Sequence, residues 1–287
     1  VLRAVLAIVA ALVTASLGAV QLASSAAYGD LAVRPSFPAA LHDRAPSLLR
    51  PLLGGAHARA AAAVHDGDLA TAERLAATLP DDAGAADIRG RIAEARGDRD
   101  AAVASYVRAG DVVRAQALID ALARQDPARA LADQERLVAA LHDDQSAGEV
   151  TGQAWWRLGE LQAAAGYRDT AQRTTYWRAA QASYERALAL APNEETYLLA
   201  AGYQSLANGD AAASERFYTH AADVVPNGAD AYAGLAWTAA ARHDCARART
   251  TLAKARALRA ATPTTAPTPR DPTADPIAGP ALERCTP

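Results

Sequence analysis

The sequence predicts an all-α chain, a solenoid of stacked helical hairpins preceded by one N-terminal transmembrane helix. Three observations predict it. Hydrophobic residues fill 51% of the 287 positions and aromatics only 5%, with alanine leading and leucine and valine behind. Alanine is the best helix former and its small side chain lets helices approach closely, whereas a sheet protein wants Val, Ile and aromatic residues. From Leu49 to about Ala260 the helical pattern is interrupted only at short Gly, Pro, Asn and Asp sites, mostly 10–16 residues apart. Within that stretch Pro192 and Pro226 stand 34 residues apart, and the residue types around them recur in step.

The transmembrane helix is predicted over residues 1–27, an apolar stretch with Arg3 as its only charge. Its uncharged core, residues 4–20, is near the lower limit of a span, about 17–25 residues, and residues 22–27 make spanning comfortable. Arg3 precedes the stretch, and Asp30, Arg34, Asp43 and Arg44 follow it. The excess of positive charge on the cytoplasmic side then puts the N-terminus inside and the body on the extracytoplasmic, periplasmic side. The small residues of Ala23-Ser24-Ser25-Ala26-Ala27 also suit a cleaved signal peptide. A retained single-pass anchor is the reading taken, a soluble exported protein its alternative, and both send the body out of the cytoplasm. Residues 28–48 follow as a linker, because Pro35, Pro38 and Pro46 interrupt any helix.

The breaks in the body fall at Asp66-Gly67-Asp68, Pro80-Asp81-Asp82, Gly97-Asp98, Gly110-Asp111, Asp126-Pro127, Gly166, Pro192-Asn193, Gly209-Asp210 and Pro226-Asn227-Gly228. Gly and Asn end helices with a left-handed residue, and Pro cannot continue one. A string of helices of this length with such short breaks is a string of antiparallel hairpins.

Three of these hairpins share a pattern. In the first, Trp155, Leu158 and Gly159 open, and Tyr184, Ala187, Leu188, Leu190 and Pro192 close. Joining its halves takes about nine extra residues around Arg168 to Tyr176, so either both helices are extended or a loop bulges out. The second fits without gaps: Leu198, Ala201 and Gly202 open, Gly209-Asp210 turns, and Ser214, Tyr218, Ala221 and Pro226 close. The third has Tyr232, Leu235 and Ala236, then Ala248, Leu252 and Ala255, with Ala260 in place of the Pro. This pattern resembles the tetratricopeptide repeat, a helix–turn–helix of about 34 residues. The resemblance covers residues 151–260. Residues 49–150 read as degenerate repeats, from Gly67-Asp68 with Ala72 and Gly97-Asp98 with Ala102, Tyr106 and Ala109. The whole is expected to form one curved solenoid of five or six hairpins.

Residues 261–287 form a Pro/Thr-rich tail. Pro263, Pro267, Pro269, Pro272, Pro276 and Pro280 argue against helix there, and alone such a tail is extended or disordered. The two cysteines, Cys245 and Cys285, form no CxxC. In an oxidising compartment they can pair, which would pin the tail onto the last hairpin; free thiols are the alternative.

Little in the sequence points to catalysis. The six histidines make no HExxH and no paired-ligand spacing with Cys. His65-Asp66-Gly67-Asp68 and His243-Asp244-Cys245 fall at repeat turns, where Asp caps the next helix. No P-loop, dinucleotide Gly motif or GxSxG is present, so no enzyme activity, metal or cofactor is expected. With 29 basic and 32 acidic residues and no basic stripe, a nucleic-acid partner is not expected either. Lys254 is the single lysine, an arginine bias that suits a GC-rich bacterial genome.

The resemblance implies a protein-binding groove lined by the first helix of each hairpin. Carried over, its positions fall on Trp156 and Glu160, on Thr196, Leu199, Tyr203 and Leu206, and on Asp230 and Trp237. The Lys and Asn pattern by which some members clamp a C-terminal carboxylate is missing, leaving an aromatic and aliphatic surface. The expectation is a membrane-anchored scaffold whose partners are other protein subunits of a bacterial membrane complex, gripped through Trp156, Tyr203 and Trp237. The competing expectation is that an adjacent helix or the chain's own tail covers those rings.

Overall fold

The computed structural model describes residues 56–141, 148–261, 272 and 275–285. The predicted anchor and linker lie outside the described residues, among which no helix is long and apolar enough to cross a membrane. The described residues form thirteen helices and no strand: α1 (Ala56–His65), α2 (Leu69–Ala76), α3 (Ala83–Ala95), α4 (Arg99–Ala109), α5 (Val112–Ala123), α6 (Pro127–Ala140), α7 (Gly148–Arg168), α8 (Arg173–Leu190), α9 (Glu195–Ala207), α10 (Ala211–Val224), α11 (Ala229–Ala241), α12 (Cys245–Ala261) and α13 (Gly279–Cys285). The chain divides into two compact units between Leu118 and Ile119, within α5.

In the first unit α1 packs on α2 and α3, and α3 on α4. Its core is built from small residues, Ala60, Ala72, Ala76 and Ala85, with Leu79, Ile88 and Ile92 filling the spaces between helices. The α3/α4 hairpin shows why small residues are needed. Tyr106 of α4 is fully buried, and a Cβ added to Gly90 of α3 would lie 2.7 Å from its ring. The tyrosine hydroxyl emerges to donate to Glu94, 2.7 Å away, so the ring is buried without orphaning its polar end.

The second unit repeats that device. Helices α7 to α12 pack each on the next, and α9 also touches α11. Turns of three or four residues join them, so the pairs α7/α8, α9/α10 and α11/α12 are antiparallel. Helices α9 and α11 begin 34 residues apart, as do α10 and α12. Gly159 faces Tyr184, and Gly202 faces Tyr218, at added-Cβ distances of 2.5 and 3.0 Å. The third hairpin has Ala236 and Leu252 in these places, both buried. Two polar pairs lie inside the stack: Ser183 donates to Gln162 at 2.7 Å, and Ser214 shares a 2.8 Å hydrogen bond with Thr238.

Two sequence expectations need correction. Gly166 does not end its helix. Helix α7 continues to Arg168, and the turn is made at residues 169–172, where Asp169 accepts from the Ala171 and Gln172 amides. Gly166 instead makes room for Trp177 of α8, whose Cδ1 would sit 2.4 Å from an added Cβ. The extra residues of this repeat therefore lengthen both helices, to 21 and 18 residues, rather than forming a loop. The second correction is in the tail, where residues 279–285 are helical despite Pro280. Pro280 is the second residue of α13, and first-turn amides have no intrahelical acceptor to lose.

Candidate protein-binding face

The first helices of the three hairpins in the second unit, α7, α9 and α11, each contribute one ring to an aromatic ladder. Tyr167 and Tyr203 share a hydrogen bond between their hydroxyls at 3.2 Å. Tyr203 and Trp237 meet edge to face with centroids 5.9 Å apart. Trp177 of α8 closes the far end, edge-on to Tyr167 at 5.3 Å. Tyr203 and Trp237 are 34 residues apart, so the repeat itself places them side by side.

The ladder holds two residues of the chain's own tail, Pro272 and Asp275. The Trp237 indole donates to the carbonyl oxygen of Pro272 at 2.9 Å. The Tyr203 hydroxyl donates to the Asp275 carboxylate at 3.1 Å. Burial first, and then the bond to Tyr167, push the Tyr203 hydroxyl well above the ordinary phenol range, which keeps it a donor to that carboxylate. Asp275 also accepts from the Ile277 and Ala278 amides at 2.9 and 2.8 Å, turning the chain into α13. Helix α13 packs on α11 and α12, with Leu282 at 0% exposure among Ala236, Ala239, Ala240, Ala248 and Leu252. Cys285 at its end is joined to Cys245 at the start of α12.

The other predicted groove residues are placed differently. Trp156 lies eleven residues before Tyr167, about 16 Å up the helix at about 1.5 Å per residue, and is not a rung of the ladder. It stacks on Tyr197 with centroids 6.0 Å apart and borders an open hollow of about 640 Å³ with Gln153, Pro192, Asn193, Glu194 and Thr196. Glu160 is exposed and accepts from the buried Tyr184 hydroxyl at 2.7 Å. Leu199 is half-buried against the core. Asp230 pairs with Arg259 of α12 at 2.6 Å. Leu206 is corrected: at 9% exposure it is enclosed in the stack and offers a partner little surface. Sequence reasoning missed Tyr167, 43% exposed, and both tail residues that meet the ladder, Pro272 and Asp275. Tyr167 carried a usable signal, since it lies seven residues beyond Glu160 and so on the same helix face.

The antiparallel pairs, their 34-residue step and the small-against-large contacts define a tetratricopeptide-type helical-repeat fold. No family model matches the chain, and no curated protein does. Among solved structures it is similar to MamA, at 16% identity over 65% of this chain and 98% of that one, with a TM-score of 0.46. It is similar to the C-terminal part of a TPR repeat-containing protein from Cytophaga hutchinsonii, at 14% identity over 72% and 83% of the two chains, TM-score 0.46. It is also similar to PilW, described as a widely conserved type IV pilus biogenesis factor, at 17% identity over 74% and 94%, TM-score 0.40. The reading of the fold rests on the helix pairs themselves.

Proposed function

We propose that this protein is a non-catalytic scaffold that binds segments of other proteins on the aromatic face of α7, α9 and α11. In the fuller form of this reading, residues 1–27 hold it to a membrane with its body outside the cytoplasm, as an accessory subunit of a membrane complex. The observation that carries it is the grip on Pro272 and Asp275. An indole N–H on a main-chain carbonyl and a phenol on a carboxylate form a pattern suited to a Pro- and Asp-containing segment. Rigid aromatics provide large contact area at small entropic cost, which is why they serve as anchors in interfaces.

The test is purification of the tagged full chain from membranes in mild detergent, with identification of co-purifying proteins. Wild type is compared with Trp156→Ala and Trp237→Ala, and circular dichroism checks that each variant folds. At least a tenfold loss of the same partner in the Trp237→Ala preparation is expected. A folded Trp237→Ala variant that retains the partner at wild-type level would remove the aromatic face from the function.

A further inference from the structure

We infer that Pro272 and residues 275–285 are a built-in occupant of the aromatic face, latched by the Cys245–Cys285 disulfide, and that opening the disulfide uncovers Tyr203 and Trp237 for an incoming chain. The inference rests on the reading of that face as a binding surface and adds its regulation.

The hold has three parts of different kind. On the face itself it is light: the Trp237 indole on the Pro272 carbonyl and the Tyr203 hydroxyl on Asp275. Behind the face, Leu282 fills a pocket of small residues on α11 and α12. At the far end the bond is covalent, with Cα atoms 4.8 Å apart, and Arg249 of α12 donates to the Cys285 carbonyl at 3.1 Å. The polypeptide ties the segment to α12 on one side and the disulfide ties it on the other. Two tethers make its weak contacts intramolecular and keep them closed against a free competitor. With the disulfide open only the polypeptide tether remains, and the light contacts compete poorly.

The chemistry needs a dithiol reductant. Its thiolate attacks the Cys245 sulfur, which is partly exposed, rather than Cys285, which is 3% exposed. The disulfide breaks, a mixed disulfide forms on Cys245, and Cys285 leaves as thiolate. The second reductant thiol then displaces Cys245. Two electrons and two protons have passed to the chain, which ends with two thiols, and the reductant leaves as its disulfide.

The full chain, purified without reductant, tests this in two measurements. Hydrogen exchange is followed in residues 275–285 with and without dithiothreitol. Binding of a fluorescent synthetic peptide of residues 270–284 is titrated under the same conditions. Reduction is expected to speed exchange in 275–285 at least tenfold while α9 and α10 are unchanged, and to tighten peptide binding at least tenfold. Cys285→Ser should behave as reduced chain in the absence of dithiothreitol, and far-ultraviolet circular dichroism confirms that the helices persist. Exchange unaltered by both reduction and Cys285→Ser overturns the latch and leaves the face itself standing. Release of the segment with no gain in peptide binding overturns the regulation together with the binding-face reading.

Discussion

At the residue scale the repeats turn on a few backbone positions that only some side chains tolerate. Gly67, Gly97 and Gly209 sit at φ near +80° (77°, 76° and 83°), each followed by an Asp that caps the next helix. In the last hairpin the same place is held by His243 at φ 62°, the one non-glycine residue with positive φ among those described. A side chain there crowds its own carbonyl, at a cost of about 1 kcal/mol. His243→Gly should therefore stabilise the protein by roughly that amount, and Gly209→Ala should destabilise it by about as much, both read from urea midpoints. The Gly–Tyr contacts make a sharper prediction. A Cβ on Gly234 of α11 would lie 2.2 Å from the ring of Tyr218, which is buried on all sides. Gly234→Val should cost about 1–3 kcal/mol by overpacking. These contacts were partly legible in advance. Tyr106, Tyr184 and Tyr218 stood out, and so did Gly159 and Gly202. Gly90 did not, although it precedes Tyr106 by the same sixteen residues that separate Gly202 from Tyr218. The surrounding α3 sequence lacks the large opening residue that would have drawn attention to it.

At the element scale, helix starts are set by aspartate. Asp68, Asp82, Asp98, Asp126 and Asp210 each accept the amide three residues on. Removing such a cap, as in Asp210→Ala, should cost about 1 kcal/mol. Two of these carboxyls are held below the usual aspartate range. For Asp68 the leading cause is the Thr71 side chain, then its amide; for Asp82 it is the Ala85 amide, then His57. A carboxyl whose folded value is depressed stabilises the fold above its unfolded value, near 3.8, and loses that contribution as pH falls through the folded value. Urea midpoints should thus fall as the pH drops below about 4, and Asp82→Asn should flatten that dependence; an unchanged slope would contradict the assignment. The helix boundaries were legible wherever Gly-Asp or Pro-Asn marked them. The long α7/α8 pair was not resolved in advance, because Gly166 serves packing against Trp177 rather than termination, and a sequence pattern cannot separate those two uses of glycine.

At the scale of the whole molecule, repetition decides what can be read. Local spacing revealed the second unit's hairpins; the repeat resemblance named Tyr203 and Trp237, and the 34-residue step sets them side by side. The Pro272 and Asp275 contacts join residues 35 and 72 positions from their partners, outside any repeat, and no periodicity announces them. The same tail brings Cys285 to Cys245 across 40 residues. Closing a loop of that size restricts the unfolded chain by about 4 kcal/mol in the loop-entropy account. Reduction should lower the thermal midpoint of the second unit, measured with and without dithiothreitol, and an unmoved midpoint would count against a stabilising bridge. The central claim is that the aromatic face of α7, α9 and α11 is where partners bind. It is tested most directly by placing a photoreactive amino acid at Tyr167, the exposed rung on α7, or at Arg216 on the outer helix α10 of the full chain, and illuminating it in cells treated with dithiothreitol. The account predicts a discrete adduct to another protein from position 167 and none from 216. Adducts from 216 with none from 167 would contradict it.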